Sequence, residues 1–399
     1  MNSIVFKREN GGLGRRIDGQ DHISGLILSF SGVTSVSTYL FRTVEEAEAA
    51  GITAASHEMA HYHISEFFRV ATGAKLYVLL APSFDGSFGE IKALQQYAEG
   101  SLRQVGILLN DDTLANTMAK VGSIQMVCDE LAAQNMPLSA IISPSMLTTD
   151  LTNINDLPDV HEQNAPRVSV CIAQDGGGYG AAIATRQMTS VGALGTVLGT
   201  VARSRVSDSI GWIEKYNVVS SVYPKTLTDN VTKAREMDVP ALADGTLVNT
   251  LTPEKIQALN DKGYIFLIKH VGYAGSYWND GFSADKLTSD YAYIESNRTV
   301  DKACRGVYQA LLPKISGPAY VDPDTGFLTA DTVAALEALA EDPLAQMERN
   351  GELSGYLVSI DPEQDLLGTS KLNVTIRLVP VGVLREIIVS IGLALSIES

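Results

Sequence analysis

Cysteine is scarce in this chain of 399 residues: there are three, Cys128, Cys171 and Cys304, far apart and each among apolar neighbours. No CxxC spacing occurs, so neither a structural zinc site nor a disulfide framework is indicated. The three read as reduced core thiols. Positive charge is scarce too. Lys and Arg number 30 against 46 Asp and Glu, a formal net charge of -16. That balance favours solubility and argues against a phosphate-backbone partner, so no nucleic acid is expected. No apolar stretch approaches the ~18 residues a membrane helix needs, and the opening MNSIVFKRENGG lacks the apolar core of a secretory signal. The expectation is a soluble protein without direct membrane insertion.

Catalytic and cofactor signatures are thin as well. DGGGYG (175–180) has neither the Lys-Ser/Thr of a phosphate loop nor the strand–Gly–helix spacing of a dinucleotide site, and it reads as a flexible loop. No nucleophile elbow marks a Ser-His-Asp grouping. One motif points the other way. His57-Glu58-Met59-Ala60-His61 is a literal HExxH on an expected helix, with two histidines on one face and a Glu able to activate a zinc-bound water. The rest of that site is missing, since Ile64 and Phe67 hold the positions of the extended motif and Glu90, Glu99 and Glu130 sit in no recognisable setting. The expectation is no metal, no cofactor and no enzyme. His57 and His61 are the candidate ligands under the alternative reading of a zinc metallopeptidase.

Hydrophobic residues make up 45% of the chain, ample for one large domain or two modest ones. Strands are expected at ISGLILSF, KLYVLLA, VGILLN, LSAIIS, VSVCIA and YIFLIKHV (264–271). Helices are expected at 44–50, 57–71, 114–134, 189–204 and from Thr252, where Pro253 suits the first turn. Helices alternating with short apolar strands point to an α/β layer. The turn-rich GYAGSYWNDG (272–281) is the expected boundary. Beyond it, a long amphipathic helix spans about 290–313. A second begins near Thr329, kinked or interrupted at Pro343, with Glu337, Glu341, Asp342, Glu348 and Glu352 on an acidic outer face.

The two ends differ from the middle. Ile4, Val5 and Phe6 form a short strand candidate before the flexible, basic GGLGRR, a segment too short to fold alone. At the other end KLNVTIRLVPV has the period-2 mark of a half-buried strand. Ile387, Val389, Ile391, Leu393 and Leu395 then continue that alternation in a second, apolar strand. An apolar strand with unpaired N–H and C=O groups templates association. It is either covered within its own fold or donated to a neighbouring copy by strand addition. Four to six backbone hydrogen bonds per arm, at about 0.5–1.5 kcal/mol each, hold subunits together even while their bodies move. Contacts between unlike surfaces of successive copies give helical filaments.

At this point the residues resemble a family. HYHISEFFRVATGAKLYVLLAP, LGTVLGTVARSRVSDSIGW, LTPEKIQALNDKGYIFLIKHVGYAGSYWNDG (Leu259, Asn260, Gly263, Trp278), DYAYIESNRTVDKACRGVYQALL and the closing LNVTIRLVPVGVLREIIVSIGL around Pro380-Val381 are similar, in order, to the contractile sheath proteins of phage tails and phage-tail-like machines. At Arg298 the long helix carries a single Arg at a place where a pair is common.

The resemblance implies a mixed α/β fold with two domains and extended arms that add strands to neighbours. Residues 1–20 become an N-terminal arm, 21–271 an outer domain, 272–385 an inner, tube-facing domain and 386–399 a C-terminal arm. It implies a structural subunit that polymerises as a helical sheath, in stacked hexameric rings, around an inner tail tube, with baseplate and tail-terminator proteins as further partners. Tube contact falls on 329–350, with Glu337, Glu341 and Glu348 the candidates. Such a protein is made in the bacterial cytoplasm and becomes part of a virion tail or a phage-tail-like particle. Another self-assembling tube or shell remains an alternative.

Overall fold

The run SGLILS is buried at every position, on both faces, as a strand inside a helix-covered sheet must be. In the computed structural model, which describes residues 19–30, 33–111, 113–145, 151–221 and 235–393, it forms β1 (Ser24–Ser29). There follow β2 (Ser37–Phe41), α1 (Val44–Ala49), α2 (Glu58–Val70), β3 (Leu76–Ala81), α3 (Gly89–Tyr97), β4 (Gln104–Asn110), α4 (Leu114–Ala133), β5 (Ser139–Ser145) and β6 (Val168–Val170). These strands make one sheet in the order β2-β3-β1-β4-β5-β6. β3, β1, β4, β5 and β6 run parallel, and β2 closes one edge antiparallel to β3. This is the α/β layer read from the sequence, although β2 (STYLF) gave no signal there.

The chain continues through β7 (Ala173–Asp175), α5 (Tyr179–Gln187), α6 (Leu194–Arg203), β8 (Pro240–Leu242), α7 (Pro253–Asp261), β9 (Leu267–Ile268) and β10 (Tyr277–Trp278). The register pairs Gly25 with Val105 and Leu26 with Gly106, which puts Gly25 and Gly106 on opposite faces. Leu94 of α3 lies over the first, and Leu194 and Leu198 of α6 lie over the second. Helices therefore cover both faces of the sheet.

Two expectations need correction here. DGGGYG is an organised turn, because the Asp175 carboxylate accepts the N–H groups of Gly177 (3.2 Å), Gly178 (3.0 Å), Gly180 (3.2 Å) and Met237 (3.3 Å), and α5 starts at Tyr179. YIFLIKHV is not one long strand. Only Leu267–Ile268 pair with β10; Tyr264, Ile265 and Phe266 are buried, and Val271 is fully exposed. Trp278 is buried and donates to Thr200 Oγ1 at 3.0 Å, which ties β10 to α6.

The rest is α8 (Ile294–Leu311), α9 (Ala330–Arg349), β11 (Leu353–Ser359), α10 (Leu366–Thr369) and β12 (Thr375–Pro380). The main core takes in Trp278, Ala284 and Ile294. A second, smaller core joins Ala303 of α8, Ala340, Leu344 and Met347 of α9, and Leu353 and Val358 of β11. α8 thus belongs to both.

α9 continues through Pro343, where a kink or an interruption was expected, and it is not interrupted. A proline inside a helix costs about 3 kcal/mol. Here its ring packs where Gly306 leaves room on α8, since a Cβ on Gly306 would stand 2.7 Å from the Pro343 Cβ. Close packing between α8 and α9 offsets the missing hydrogen bond. Among the described residues, no helix is long and apolar enough to cross a membrane.

Candidate assembly surface

β11 and β12 form an antiparallel two-stranded sheet, with Tyr356 opposite Leu378 and Val358 opposite Ile376. The alternation of both strands sends Leu353, Val358, Ile376 and Leu378 onto the second core. Leu357 and Val379 stand exposed on the other face. Among the described residues no strand pairs with either outer edge of this sheet. A lone pair of strands is marginal and depends here on the α8–α9 layer beneath it. Its free edges are places where a further strand can add.

Among the described residues, the second terminal strand expected from the sequence has no strand partner. Residues 381–393 carry no strand assignment, and Ile387, Val389, Ile391 and Leu393 are 75%, 72%, 94% and 108% exposed. Ile4, Val5, Phe6 and Leu395 lie outside the described residues. An apolar run this open is the kind of surface that soluble monomers rarely keep.

At the root of this arm sits Arg385, a residue that no sequence pattern singles out. Its Nε donates to Asp280 Oδ2 at 2.6 Å, and its Nη2 donates to Asp280 Oδ1 at 3.2 Å and to Glu295 Oε1 at 2.5 Å. The guanidinium also lies 3.4 Å from the Tyr293 ring centroid. A planar fork that holds two carboxylates while stacking on an aromatic face is arginine geometry that lysine does not reproduce. The partners are 90 and 105 positions away along the chain, so spacing could not reveal them.

Burial pushes the Glu295 carboxyl up to about 7; Arg385 pulls against that rise, and the nearby Asp280 adds to it. A carboxyl raised in the folded state stabilises the fold below its unfolded value of 4.5 and loses that contribution as pH rises through about 7. Glu295→Gln should therefore flatten the pH dependence of stability between 4.5 and 7. The difference expected in urea unfolding is on the order of 2 kcal/mol between parent and variant over that window. Parallel pH profiles would show that Glu295 does not titrate there.

A second ionic contact of this kind lies near the other end of the described residues. Asp21 lies just after the expected N-terminal arm and pairs with Lys302 Nζ (2.6 Å) and Arg305 Nη2 (2.9 Å), both on α8. Burial opposes its charge, but Lys302 and Arg305 prevail and hold its carboxyl below the usual range. Arg298, buried on the same helix, donates to Ser204 Oγ at 2.7 Å and to the carbonyls of Arg205 (3.1 Å) and Asp21 (3.4 Å).

The acidic face of α9 is smaller than expected. Glu337 is half-buried and accepts the Ile360 N–H at 2.8 Å, which anchors the end of β11. Glu352 is buried and paired with Lys302 at 2.7 Å. Glu341 is half-buried, and Asp342 and Glu348 are exposed.

The HExxH helix uses its polar groups locally. Glu58 accepts hydrogen bonds from Tyr179 Oη (3.0 Å), Gln187 Nε2 (2.7 Å) and Arg186, so it is tied to α5. His61 Nε2 meets Glu48 Oε1 at 2.9 Å, and His57 Nδ1 meets Ser56 Oγ at 3.1 Å. Among the described residues no group of three or more His, Cys, Asp or Glu is placed to hold a metal ion. At the C-terminal ends of β1 and β4, where open parallel sheets bind ligands, the polar groups bond to each other. Asn110 Nδ2 donates to the Ser29 carbonyl and Ser145 Oγ to Asn110 Oδ1, both at 2.9 Å, and Lys120 pairs with Asp111. A cleft of about 360 Å³ is lined in part by Asp175 and Asp244. Asp175 is occupied as above, and Asp244 accepts the N–H groups of Leu151 and Thr246, each at 2.9 Å.

Solved structures share this fold over almost the whole chain. The chain is similar to a subunit of the anti-feeding prophage helical sheath in its contracted state, with TM-score 0.62, 14% identity, and 98% of this chain and 99% of that chain covered. It is similar to a chain of the sheath complex of an extracellular contractile injection system, PVC, also contracted, with TM-score 0.63, 11% identity, and 99% and 98% covered. A chain of the anti-feeding prophage baseplate gives TM-score 0.62 at 12% identity, with 99% of each covered. No curated protein matches the sequence. Two family models do match, "DUF2586, N-terminal domain" over residues 1–282 and "DUF2586, C-terminal domain" over residues 290–398. Together they span nearly every position, and the chain belongs to the DUF2586 family.

Proposed function

We propose that this protein is the sheath subunit of a contractile tail or injection machine, assembling as a helical polymer around an inner tube and doing no bond chemistry. One observation carries this reading: an exposed apolar arm, 386–393, leaves the body beside a two-stranded sheet with free edges, in a fold shared with sheath subunits. Strand addition satisfies both the arm and the edges. A subunit that donates one surface and accepts on another polymerises without closing. Contraction is then a change of helical packing, with free energy from new contacts between copies rather than nucleotide hydrolysis.

In this reading residues 1–20 and 386–399 are the arms, 21–271 the outer domain and 272–385 the inner, tube-facing domain, in stacked hexameric rings. The tail tube, baseplate and tail terminator are the further partners. Synthesis in the bacterial cytoplasm, before incorporation into a tail or tail-like particle, follows from that role. The direct test is electron microscopy of the purified protein. Ribbed tubes of uniform diameter are expected; a monomer at every concentration would refute the reading, and closed shells would favour another self-assembling architecture.

Tube contact is assigned to α9, at Glu341, Asp342 and Glu348. Glu337 takes part less directly because of its bond to Ile360. Reversing Asp342 and Glu348 to Lys should leave folding intact, since both are exposed. Recruitment of the tube should weaken about tenfold or more, with a steep dependence on salt. Unchanged co-sedimentation with the tube would move the contact elsewhere.

A further inference from the structure

Helix α8 is unusual in what it buries. Glu295, Asn297, Arg298, Thr299 and Asp301 are all nearly inaccessible. Buried charge is costly unless paired, and here each charge has a partner. Asp301 takes a bidentate bond from Arg167 (2.8 and 2.9 Å), and Arg298 is capped by Ser204 and Arg205. These fix α8 to the main domain.

Glu295, Arg298, Lys302 and Arg305 recur at spacings of three and four, so they share one face. From that face Glu295 holds Arg385, while Lys302 and Arg305 hold Asp21. Arg385 is, among the described residues, the last side chain fixed to the body at its end of the chain, while at the other end Asp21 is joined by Gln20, whose Oε1 accepts Arg103 Nη2 at 2.6 Å. Among the described residues 381–393, Arg385 alone makes a side-chain hydrogen bond or ion pair.

We propose that α8 is the common anchor of both arms: the pegs at Asp21 and Arg385 fix where each arm leaves the body, so one helix aims the strands that neighbouring copies exchange. The purpose of the arms rests on the sheath reading; the anchoring does not. A pull on either arm is delivered to the same helix, which is bolted to the large domain at Arg167 and Arg298 and packed into the smaller core at Ala303. Successive subunits are then joined helix to helix, and each body moves with its own α8 as one unit.

The anchor is testable in the full-length monomer with spin labels at Ile387→Cys and at Cys304, which is exposed and not the core thiol expected from the sequence. Cys304 lies on the side of α8 opposite Glu295, while Cys128 and Cys171 are buried with thiols pushed up to about 12, which leaves them unlabelled. A narrow distance distribution is expected. Arg385→Ala should broaden it at least twofold in a chain that is still folded but melts lower, because the buried Asp280 and Glu295 lose their cation, with Arg385→Lys between the two. If Arg385→Ala fails to fold, Arg385→Lys and Glu295→Gln carry the comparison. An unchanged width overturns the anchor. Ordered tubes from Arg385→Ala and from Asp21→Asn should fall at least tenfold in yield, and full yield from both would overturn the aiming role. Absence of tubes from the unaltered chain would instead refute the sheath reading, with the distance widths still deciding the anchor.

Discussion

A chain ending at Arg385 is expected to fold as the full chain does and to form no ordered tubes. The described part of the removed segment, 386–393, is exposed and makes no side-chain hydrogen bond or ion pair with the body. Its loss takes away apolar surface facing water and leaves both cores intact, so the melting temperature should hold or rise slightly. Association is different. Four to six strand hydrogen bonds at about 0.5–1.5 kcal/mol each set a floor near 2 kcal/mol per arm, which lowers each contact at least ~30-fold before side-chain burial is added. Over a polymer in which every copy donates and accepts, that loss compounds. Negative-stain microscopy and sedimentation of the two chains side by side read it directly. Tubes of normal order from the shortened chain would mean that body contacts, not donated strands, hold the polymer.

The second large effect lies inside the main domain. Gly195 and Gly199 lie one turn apart on α6 and let its backbone approach α2. A Cβ at 195 would collide with the His63 carbonyl oxygen, and one at 199 would meet that of Phe67 at 2.9 Å. The obstruction at 195 is backbone, which cannot rotate away. Gly195→Val must separate two helices that also share the Thr196–Glu66 bond (2.8 Å). A loss of about 3 kcal/mol is expected, at the upper end of overpacking costs. It should appear as a lower urea midpoint and as reduced soluble yield. Gly122→Val, at a position where nothing stands within 4 Å of an added Cβ, is the control and should be near neutral. Equal midpoints for the two variants would mean that α2 and α6 are less tightly packed than described.

Much of the fold was legible because burial leaves a periodic trace. The buried runs of β1, β3, β4 and β5 and the apolar faces of α2, α4 and α8 follow from composition and spacing. The errors share one cause. Asp175 organises its glycine turn with help from the Met237 N–H, 62 positions away. Pro343 stays in a helix because Gly306 of another helix accepts its ring. β2 and β11 are partly exposed strands whose partners come from elsewhere in the chain. Long-range contact decides the proline and the two strands and completes a turn that is otherwise held by local bonds, and local pattern does not report it.

The candidate surface divides in the same way. The alternating apolar residues from Ile387 onward were expected from the sequence to form a strand; residues 387–393 carry no strand assignment, and the described residues offer them no partner. Their root at Arg385 was invisible, because an isolated arginine says nothing until Asp280, Glu295 and Tyr293 converge on it. The acidic candidates on α9 were read from helical periodicity without the Ile360 N–H that engages Glu337.

Strand exchange between copies is the centre of the account, and a near-atomic cryo-EM map of the assembled polymer tests it most directly. The expected map shows residues 387–393 as a strand hydrogen-bonded to the β11–β12 sheet of a different copy, with Arg385 still seated on Asp280 and Glu295 of its own. A map in which that segment folds back onto its own body, or stays unpaired between copies, would contradict it.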